Sequence, residues 1–465
     1  MIPSETQVQV GVPVGELLAG LDVGTTSTKA VLLTEGGDEV SIGHAPTVWH
    51  QTERGTEIDP SALSDAAHAA LAEALYRAGS DDRVVALGVA SMGESGVLVG
   101  ADDTPLADII AWHDVRDSAE LRALDADLGG DEFSTRTGLP LWTQWSLTKH
   151  RWLVDHVPAT RMATHRYNVA EWVARSLGAE PVTELSLASR TGWLDLATAT
   201  PWAEGLDWSG SPRSLLGDLV TAGEPVGAVP ADHPLSQLRG AVLTIAGHDH
   251  QAAALGVGAV GENAEFDSCG TAEALLRTVR PPLERDAILA LTAAGVTVGW
   301  HVVRGRWCLL GATQGGLVLQ RVLAGLGVAR EGLAALDEAA LSAAPSTARV
   351  DVHPESGDYT VSGSTAPGDV WRAATWAVTV LAEDLSRVIS RAAGPRRDLI
   401  VAGGWTNSSA LLAAKRAALG PLRRASASEA GGRGAALLAG LAHGTYASYA
   451  DLPVSHAAPI TSQGL

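Results

Sequence analysis

The sequence predicts an α/β protein built from two domains. Strand-like apolar runs alternate with helical segments: a hairpin over residues 17–40, an Ala-rich helix over residues 66–78, and a strand pair over residues 84–100. The same alternation resumes after a stretch rich in Pro, Gly and Ser at residues 196–240. Alternating strands and helices are typical of layered α/β domains, and 465 residues are enough for more than one domain.

The domain boundaries follow from these changes along the chain. We expect a flexible N-terminal extension over residues 1–16, a first domain over residues 17–240 and a second domain over residues 241–465. Within the second domain, residues 264–279 predict a strand, a Gly-Thr turn and a strand. The order repeats that of residues 22–33, where an acidic residue also precedes Gly-Thr and an apolar run. The two halves therefore share a local pattern.

Composition excludes several classes of partner. A net charge of −20 argues against nucleic acid or an anionic membrane as the main partner. The two cysteines, Cys269 and Cys308, form no disulfide framework and favour a reducing cytoplasm. No stretch approaches the ~18 consecutive apolar residues of a membrane span, and the N-terminus lacks the pattern of a signal peptide. We expect a cytoplasmic protein without a membrane partner.

Glycine-rich segments are frequent, but they match none of the common nucleotide motifs. No Gly-Lys pair exists, so a Walker A loop is absent, and neither His-Glu-x-x-His nor Cys-x-x-Cys occurs. Residues 256–261, "GVGAVG", follow a predicted helix at 251–255 and precede a strand, which is the reverse of the dinucleotide-binding order. The segments at 397–420 and 428–444 each predict a Gly-rich turn joined to a helix.

The segment "LTIAGHDHQAAAL" (residues 243–255) places Asp249 between two histidines at the end of an apolar run. Three interpretations are open from these residues alone. Asp249 could cap the Ala-rich helix that follows. His248 and His250 could join it in a metal site, although no second pair of ligands is identifiable. It could also act as a general base.

Five segments in order resemble the FGGY carbohydrate kinases: "LDVGTTSTKAVLL", "AWHDVR", "AGHDHQAAALGVGAV", "DSCGTAE" and "VAGGWTNSSAL". The resemblance runs from about Gly20 to Gly444. It implies two actin-like (ribonuclease H-like) domains with a central cleft for ATP and a sugar. It also implies ATP-dependent phosphorylation of a hydroxyl of a small sugar or polyol, with a ketopentose such as xylulose as the expected substrate. The implied cofactors are ATP and Mg²⁺, and the implied catalytic base is Asp249.

The resemblance also assigns the residues that hold MgATP. Asp22 matches the family carboxylate near the metal ion and the transferring phosphate. Two Gly-Thr turns are expected to cradle the phosphates, and a later loop to contact the nucleoside. The positions that match are Thr25, Thr26, Ser27, Lys29, Gly270, Thr271, Gly311, Gln314, Gly403, Gly404 and Asn407.

The sugar site is assigned in the same way. Glu94 matches a position that is His in the xylulose kinases and Glu in the glycerol kinases, and a carboxylate there could accept hydrogen bonds from two hydroxyls. The sequence departs from the family at His113, Gln144 and His150, so it does not specify the sugar. The substrate-binding residues implied are Gly93, Glu94, Trp112, Gln144, His248 and Asp249.

An alternative from another class is an actin-like ATPase that works as a switch or filament and binds no sugar. Asp-x-Gly-Thr at residues 22–25 is compatible with it. The Asp249 segment and the turn at residues 91–96 favour the kinase. A homodimer is compatible with either function, and the sequence does not decide the oligomeric state.

Overall fold

The computed structural model describes residues 15–79, 82–342, 344–353, 356–455 and 457–459. Residues 1–14 of the expected N-terminal extension lie outside the described residues. Glu16, the last residue of that expected extension, begins the first strand.

The strands divide between two large sheets and several small ones. In chain order they are β1 (Glu16–Val23), β2 (Ser27–Thr34), β3 (Glu39–Pro46), β4 (His50–Thr52), β5 (Gly55–Ile58), β6 (Arg83–Ser91), β7 (Gly96–Val99), β8 (Ile109–Ile110), β9 (His165–Asn168), β10 (Val182–Glu184), β11 (Leu194–Asp195), β12 (Thr200–Pro201), β13 (Asp218–Val220), β14 (Gly227–Ala228), β15 (Val242–His248), β16 (Ala264–Cys269), β17 (Glu273–Val279), β18 (Thr297–Trp300), β19 (Trp307–Thr313), β20 (Arg349–His353), β21 (Asp358–Ser362), β22 (Asp398–Ala402), β23 (Arg423–Ala425) and β24 (Ala457–Pro459).

The helices, in chain order, are α1 (Pro60–Ala78), α2 (Ser118–Leu128), α3 (Gly130–Thr137), α4 (Ser146–His156), α5 (Val169–Ser176), α6 (Leu185–Ala188), α7 (Ala203–Ser209), α8 (Asp249–Gly256), α9 (Arg285–Ala293), α10 (Gly315–Gly325), α11 (Leu333–Ser342), α12 (Pro367–Ala393), α13 (Ser409–Leu419) and α14 (Ala430–His443). Most helices pack on the faces of the two large sheets, whereas α2, α3, α4 and α7 form a separate core beside β7. Among the described residues, no helix is both long and apolar enough to cross a membrane.

The first large sheet has the strand order β14-β15-β6-β1-β2-β3. The predicted hairpin is confirmed, because β1 and β2 pair antiparallel across the turn at residues 24–26. The expected domain boundary between residues 240 and 241 does not separate sheets: β15 begins at Val242, pairs with β6 and belongs to the first sheet. We propose instead that the first domain ends with α8.

The predicted strand pair over residues 84–100 is wrong in its pairing. Both strands exist as β6 and β7, but β6 lies between β1 and β15, whereas β7 pairs with β9 in a separate small sheet. The connection at residues 92–95 turns the chain out of the first sheet, and Glu94 within it has a φ of 65°. Strand pairing is a tertiary property, so the apolar runs located the strands without identifying their partners.

Strand β1 has two buried faces that contact different helices. Leu17, Leu21 and Val23 belong to the core formed with α1 and α5, whereas Leu18 belongs to the core formed with α8 and α14. Because side chains alternate along a strand, Asp22 lies on the same face as Leu18. The alternation therefore directs Asp22 toward α14.

The second large sheet has the order β18-β19-β17-β16-β22-β23-β24. The predicted strand, Gly-Thr turn and strand at residues 264–279 are confirmed as the antiparallel pair of β16 and β17. One face packs on α10, α11, α12 and α13, and the other packs on α8. The helix predicted ahead of "GVGAVG" is α8, which confirms that this glycine motif is not a dinucleotide fingerprint.

Helix α8 lies between the two large sheets. Ala252 and Leu255 belong to the core against the first sheet, and Ala253 and Val257 belong to the core against the second. A short helix with small residues on all sides fits between two sheets, which explains why residues 249–256 show no amphipathic pattern. The residue at its N-terminus is Asp249.

Helix α14 reaches α8 through glycines. A Cβ at Gly434 would lie 1.8 Å from the carbonyl oxygen of Ala252, and a Cβ at Gly256 would lie 2.2 Å from that of Ala430. The predicted Gly-rich turn ahead of this helix is wrong: Gly431, Gly432 and Gly434 are helical residues of α14. Their role is close backbone contact, which sequence spacing does not distinguish from a turn.

The contact at Gly434 yields the first prediction. Alanine favours a helix over glycine by ~1 kcal/mol, so Gly434→Ala would stabilise an isolated α14. We expect the opposite in the protein, a loss of about 1–3 kcal/mol or more in the free energy of unfolding, because the added methyl overpacks against α8. Urea denaturation measures it.

Gly261→Ala is the control, because a Cβ at Gly261 would lie no closer than 3.9 Å to its nearest neighbour, the Cβ of Ala264. A Gly434→Ala protein as stable as this control would contradict the close contact between the helices.

Candidate active site

Two cavities meet in the cleft between the large sheets. The first, which we call the glycine-lined cavity, has a volume of about 850 Å³ and is lined by Gly270, Gly403, Gly404 and Gly431 among others. The second, which we call the tryptophan-lined cavity, has a volume of about 610 Å³ and is lined by Trp112 and Trp142 among others. Asp249 and His250 line both cavities.

Asp249 stands where β15 ends and α8 begins. The pairing of β15 with β6 is irregular between Ile245 and Gly247, and Gly247 has a φ of 80°, which suits glycine. The backbone N–H of His250 donates to Asp249 Oδ1 at 2.6 Å. This bond fixes the carboxylate at the junction of the cavities.

The other two interpretations of the Asp249 segment are not supported. The N-cap residue of α8 is His248, so Asp249 is the first helical residue and not the cap. His248 Nδ1 lies 3.1 Å from Asp249 Oδ1, and the rings of His248 and His250 are 5.7 Å apart. Within the described ranges, these three residues do not form a cluster that could hold a metal ion.

Asp22 is the second carboxylate of the cleft and lines the glycine-lined cavity. Its Oδ1 is buried without a hydrogen-bond partner, and a Cβ at Gly431 would lie 2.2 Å from its Oδ2. Glycine at the start of α14 therefore makes room for this side chain. A carboxylate that lines a cavity and has an oxygen without a hydrogen-bond partner suits a hard cation such as Mg²⁺.

Both carboxylates hold their protons unusually tightly. Burial, together with a smaller contribution from the nearby charge of Asp249, raises the pKa of Asp22 to about 7. Burial likewise raises the pKa of Asp249 to about 7, with a further contribution from Glu94. Two acidic groups that disfavour each other's charge in a cleft are typical of functional sites.

The structure places the first predicted phosphate turn differently from expectation. Thr25 lines the tryptophan-lined cavity, where Trp112 Nε1 donates to its Oγ1 at 3.0 Å. Thr26 and Ser27 line neither cavity. Lys29 does line the glycine-lined cavity and pairs with Glu429 at 2.6 Å.

The second turn and the late glycine loop come together as expected. Gly270, Thr271, Gly403, Gly404 and Asn407 all line the glycine-lined cavity. Gly403 has a φ of 104°, and a Cβ there would lie 2.6 Å from the carbonyl oxygen of Cys269. The loop and the turn are therefore in direct backbone contact.

Two other predicted nucleotide residues lie elsewhere. Gly311 lines neither cavity, and a Cβ there would meet the side chain of Leu385, so its role is packing within the second sheet. Gln314 lines the tryptophan-lined cavity. The resemblance assigned both residues to the nucleotide, but neither lines the glycine-lined cavity.

All predicted sugar-site residues line the tryptophan-lined cavity: Gly93, Glu94, Trp112, Gln144, His248 and Asp249. Glu94 adopts the left-handed backbone region, with its side chain buried. Its carbonyl oxygen accepts hydrogen bonds from Ser146 Oγ at 2.6 Å and from Arg166 Nη2 at 2.8 Å. These bonds hold a conformation that costs a non-glycine residue of order 1–3 kcal/mol.

Sequence reasoning missed Arg190. Its Nε donates to Glu94 Oε1 at 2.6 Å, and its Nη1 donates to Thr297 Oγ1 at 2.7 Å. Glu94 follows a strand of the first sheet and Thr297 begins β18 of the second, so Arg190 joins the two halves beside the cavity. A single arginine between Ser189 and Thr191 forms no motif, and only the folded structure shows these contacts.

Burial and Arg190 also set the charge of the histidines. Burial lowers the pKa of His248 well below its ordinary value, and the nearby cation of Arg190 lowers it further. Burial lowers the pKa of His250 as well. Both imidazoles are therefore neutral near pH 7, and each can donate one hydrogen bond and accept another.

Comparison with known proteins identifies the family. The model of the FGGY family of carbohydrate kinases, N-terminal domain, matches residues 17–256, ending at the last residue of α8. A xylulose kinase of Streptomyces rubiginosus is 31% identical over 327 residues, which cover 68% of this chain and 64% of the relative. A glycerol kinase of Nitratidesulfovibrio vulgaris is 27% identical over 460 residues, or 93% and 91% of the two chains.

Solved structures agree in fold. The xylulose kinase of Rhodospirillum rubrum superposes with a TM-score of 0.84 at 24% identity, over 96% of this chain and 94% of the other. The glycerol kinase of Plasmodium falciparum, solved with ADP, superposes with a TM-score of 0.84 at 17% identity, over 97% and 94%. The predicted pair of actin-like α/β domains is confirmed. The chain belongs to the FGGY family of carbohydrate kinases, which are ATP-dependent phosphotransferases.

Proposed function

We propose that this kinase transfers the γ-phosphate of ATP to a hydroxyl of a small sugar or polyol, with Asp249 as general base. The observation that carries the proposal is the meeting of two cavities at Asp249 and His250. Phosphoryl transfer needs a nucleotide and an acceptor hydroxyl on opposite sides of one point, with a base at that point.

The carboxylate of Asp249 suits the role of base. The pKa of this carboxyl is raised to about 7, so its acceptor strength lies close to the working pH. The N–H of His250 holds one carboxylate oxygen and leaves the other to accept the hydroxyl proton. General bases of this kind contribute ~10²–10⁴-fold to rate.

Asp22 is the residue that would hold Mg²⁺. Its orphaned Oδ1 and its position on the glycine-lined cavity fit that role. When bound, Mg²⁺ supplies positive charge against the phosphates. Lys29 on the same cavity adds a cation, although Glu429 shares its charge.

The glycine-lined cavity is the proposed nucleotide site. The turn at Gly270 and Thr271 offers backbone N–H groups to phosphates, because glycine permits close approach. The loop at Gly403 and Gly404 faces the same space and suits the nucleoside. Thr25 lies on the other cavity, so we assign it to the acceptor side rather than to the nucleotide.

The tryptophan-lined cavity is the proposed sugar site. Glu94 Oε1 is taken by Arg190, which leaves Oε2 for a substrate hydroxyl. His248 and Gln144 add neutral polar groups, and Trp112 and Trp142 offer apolar faces. The site therefore suits an uncharged sugar or polyol. A ketopentose such as xylulose is the first candidate, and glycerol, which the Glu94 carboxylate favours, is the second.

The alternative of an actin-like switch without a sugar substrate is disfavoured by the cavity of about 610 Å³ beside Asp249, which such a switch does not need. A cytoplasmic location and a homodimer stay predictions.

A substrate panel tests the function. The purified chain with MgATP is offered ketopentoses, hexuloses, glycerol and other polyols, and both ADP release and the phosphorylated product are measured. We expect ADP release that depends on one class of acceptor, with product in equal amount. ATP turnover independent of every acceptor and without phosphorylated product would refute the kinase proposal.

Asp249→Asn is expected to abolish turnover without abolishing nucleotide binding. The amide cannot accept the hydroxyl proton, so kcat should fall by at least ~10²-fold, while the dissociation constant of MgATP stays within about threefold. Stopped assays and calorimetric titration measure the two quantities. Activity near that of the unaltered chain would remove Asp249 from the mechanism.

The same substitution should stabilise the ligand-free protein at high pH. The folded-state pKa of Asp249, about 7, exceeds the 3.8 of an unperturbed Asp. Between these values the unfolded chain releases its proton first, so stability falls as the pH rises, and the full cost is present above pH 7. Asp249→Asn removes that cost.

We therefore expect the gain in melting temperature of Asp249→Asn over the unaltered chain to be larger at pH 8 than at pH 5, by scanning calorimetry. The exposed Asp232→Asn is the control. An equal gain at both pH values would show that the pKa of Asp249 is not raised in the folded chain.

Glu94→Gln should affect the sugar and not the nucleotide. Loss of the carboxylate charge weakens its bond to a hydroxyl, since charge-assisted hydrogen bonds are roughly twice as strong as neutral ones. We expect the KM for the sugar to rise about tenfold or more and the KM for ATP to stay within twofold. Glu132→Gln, on the exposed side of α3, is the control. Equal changes in both KM values would argue against sugar contact.

A further inference from the structure

A buried charge cluster lies beneath the turn at Gly270. Lys415 Nζ on α13 donates to Asp267 Oδ2 at 2.5 Å and also to Glu273 Oε1. The side chains of Lys415 and Asp267 are 0% exposed and that of Glu273 is 4% exposed. None of these three groups is used by the proposed mechanism. Buried charges of this kind are costly and call for an explanation.

The cluster resembles a metal site in its donor set. One ligand atom from each of Asp267, Cys269 and Glu273 lies within 4.8 Å of the others. The ammonium of Lys415, however, bonds both carboxylates, and so a fixed cation of the chain already compensates their charge. Burial alone would lower the pKa of Lys415, but the charges of Asp267 and Glu273 raise it well above its ordinary value, so the ammonium stays protonated.

The two carboxylates flank the turn. Asp267 lies near the end of β16, Glu273 begins β17, and Cys269 pairs with Glu273 as the last rung before the turn at residues 270–272. Lys415 thus holds both strands at the point where the chain leaves them. Gly270 and Thr271, at the tip, line the glycine-lined cavity.

The turn is also confined from its sides. A Cβ at Gly316, in the first turn of α10, would lie 1.9 Å from the carbonyl oxygen of Gly270. The loop at Gly403 touches Cys269 on the opposite side. These backbone contacts confine the turn laterally. How far the turn projects into the cavity then depends on the ends of β16 and β17, which Lys415 holds together.

We propose that Lys415, through Asp267 and Glu273, is a positioning residue that sets the second phosphate turn against the phosphates of the nucleotide. The inference rests on the proposed nucleotide site and adds a residue that lines neither cavity. The proposal has a distinctive consequence. Altering the cluster should weaken binding of the nucleotide's phosphates and leave binding of the nucleoside unchanged.

Asp267→Asn is the best test, because it leaves a one-to-one pair of Lys415 and Glu273. Glu273 is less suitable, since its Oε2 also accepts from Thr313 Oγ1 at 2.8 Å and Thr313 lines the tryptophan-lined cavity. The matched control is Glu265→Gln. Glu265 is on the same strand, is 0% exposed and pairs with Arg277, but at the end of the hairpin away from the turn.

Binding of ATP and of adenosine is titrated for the unaltered chain and both variants, with thermal unfolding measured alongside. We expect Asp267→Asn to weaken ATP binding at least fivefold and adenosine binding less than twofold, and Glu265→Gln to leave both within twofold. Equal loss of ATP affinity in the two variants, or equal loss for ATP and adenosine, would overturn the proposal.

Lys415→Met is the second variant if Asp267→Asn does not fold, and we expect the same selective loss of affinity for ATP. Lys415→Arg keeps the positive charge and should retain part of the affinity for ATP that Lys415→Met loses. The test is separate from that of the proposed function, because it needs no sugar. If Asp267→Asn selectively loses affinity for ATP but the unaltered chain phosphorylates no acceptor, the kinase proposal is refuted and the positioning role of Lys415 is supported. An unaltered chain that binds ATP no more tightly than adenosine would refute the positioning role.

Discussion

The close contact between α8 and α14 is the constraint on which the site depends. Glycines at positions 256 and 434 let the two backbones touch, and α8 is thereby held between both large sheets. Because Asp249 is the first residue of α8 and Gly431 is in the first turn of α14, the same contact brings Asp249 and Asp22 to one cleft. Larger side chains at the crossing would separate the helices and with them the two carboxylates.

Placing two carboxylates in one partly dry cleft opposes stability and serves chemistry. The pKa of each carboxyl is raised in the folded chain. The free energy of unfolding therefore falls as the pH rises. The surrounding helices and sheets supply enough buried apolar surface to tolerate that cost. MgATP bound at the proposed site would stabilise the folded chain and offset part of that cost.

The sequence predicted several of the strands and helices and also the family, since apolar periodicity and the five family-like segments are local features. The resemblance proposed Asp249 and Asp22 as site residues, because each lies near the end of an apolar run and within a segment that matches the family. The sequence did not predict that β6 and β7 have different partners, nor that Gly431 and Gly434 are helical, because both depend on what packs against them. Arg190 and Lys415 were invisible for the same reason: each acts through residues at least 96 positions away in the chain.

The bridge from Glu94 through Arg190 to Thr297 means that the proposed acceptor pocket is built by both halves of the chain. A fragment ending after α8 would keep Glu94 and Asp249 but would lose the anchor of the arginine that orients Glu94. If the proposed sites hold, exchanging second halves between related kinases would change part of the acceptor preference as well as the nucleotide contacts. A redesign of the proposed acceptor site confined to one half would have to fit a geometry that the other half fixes.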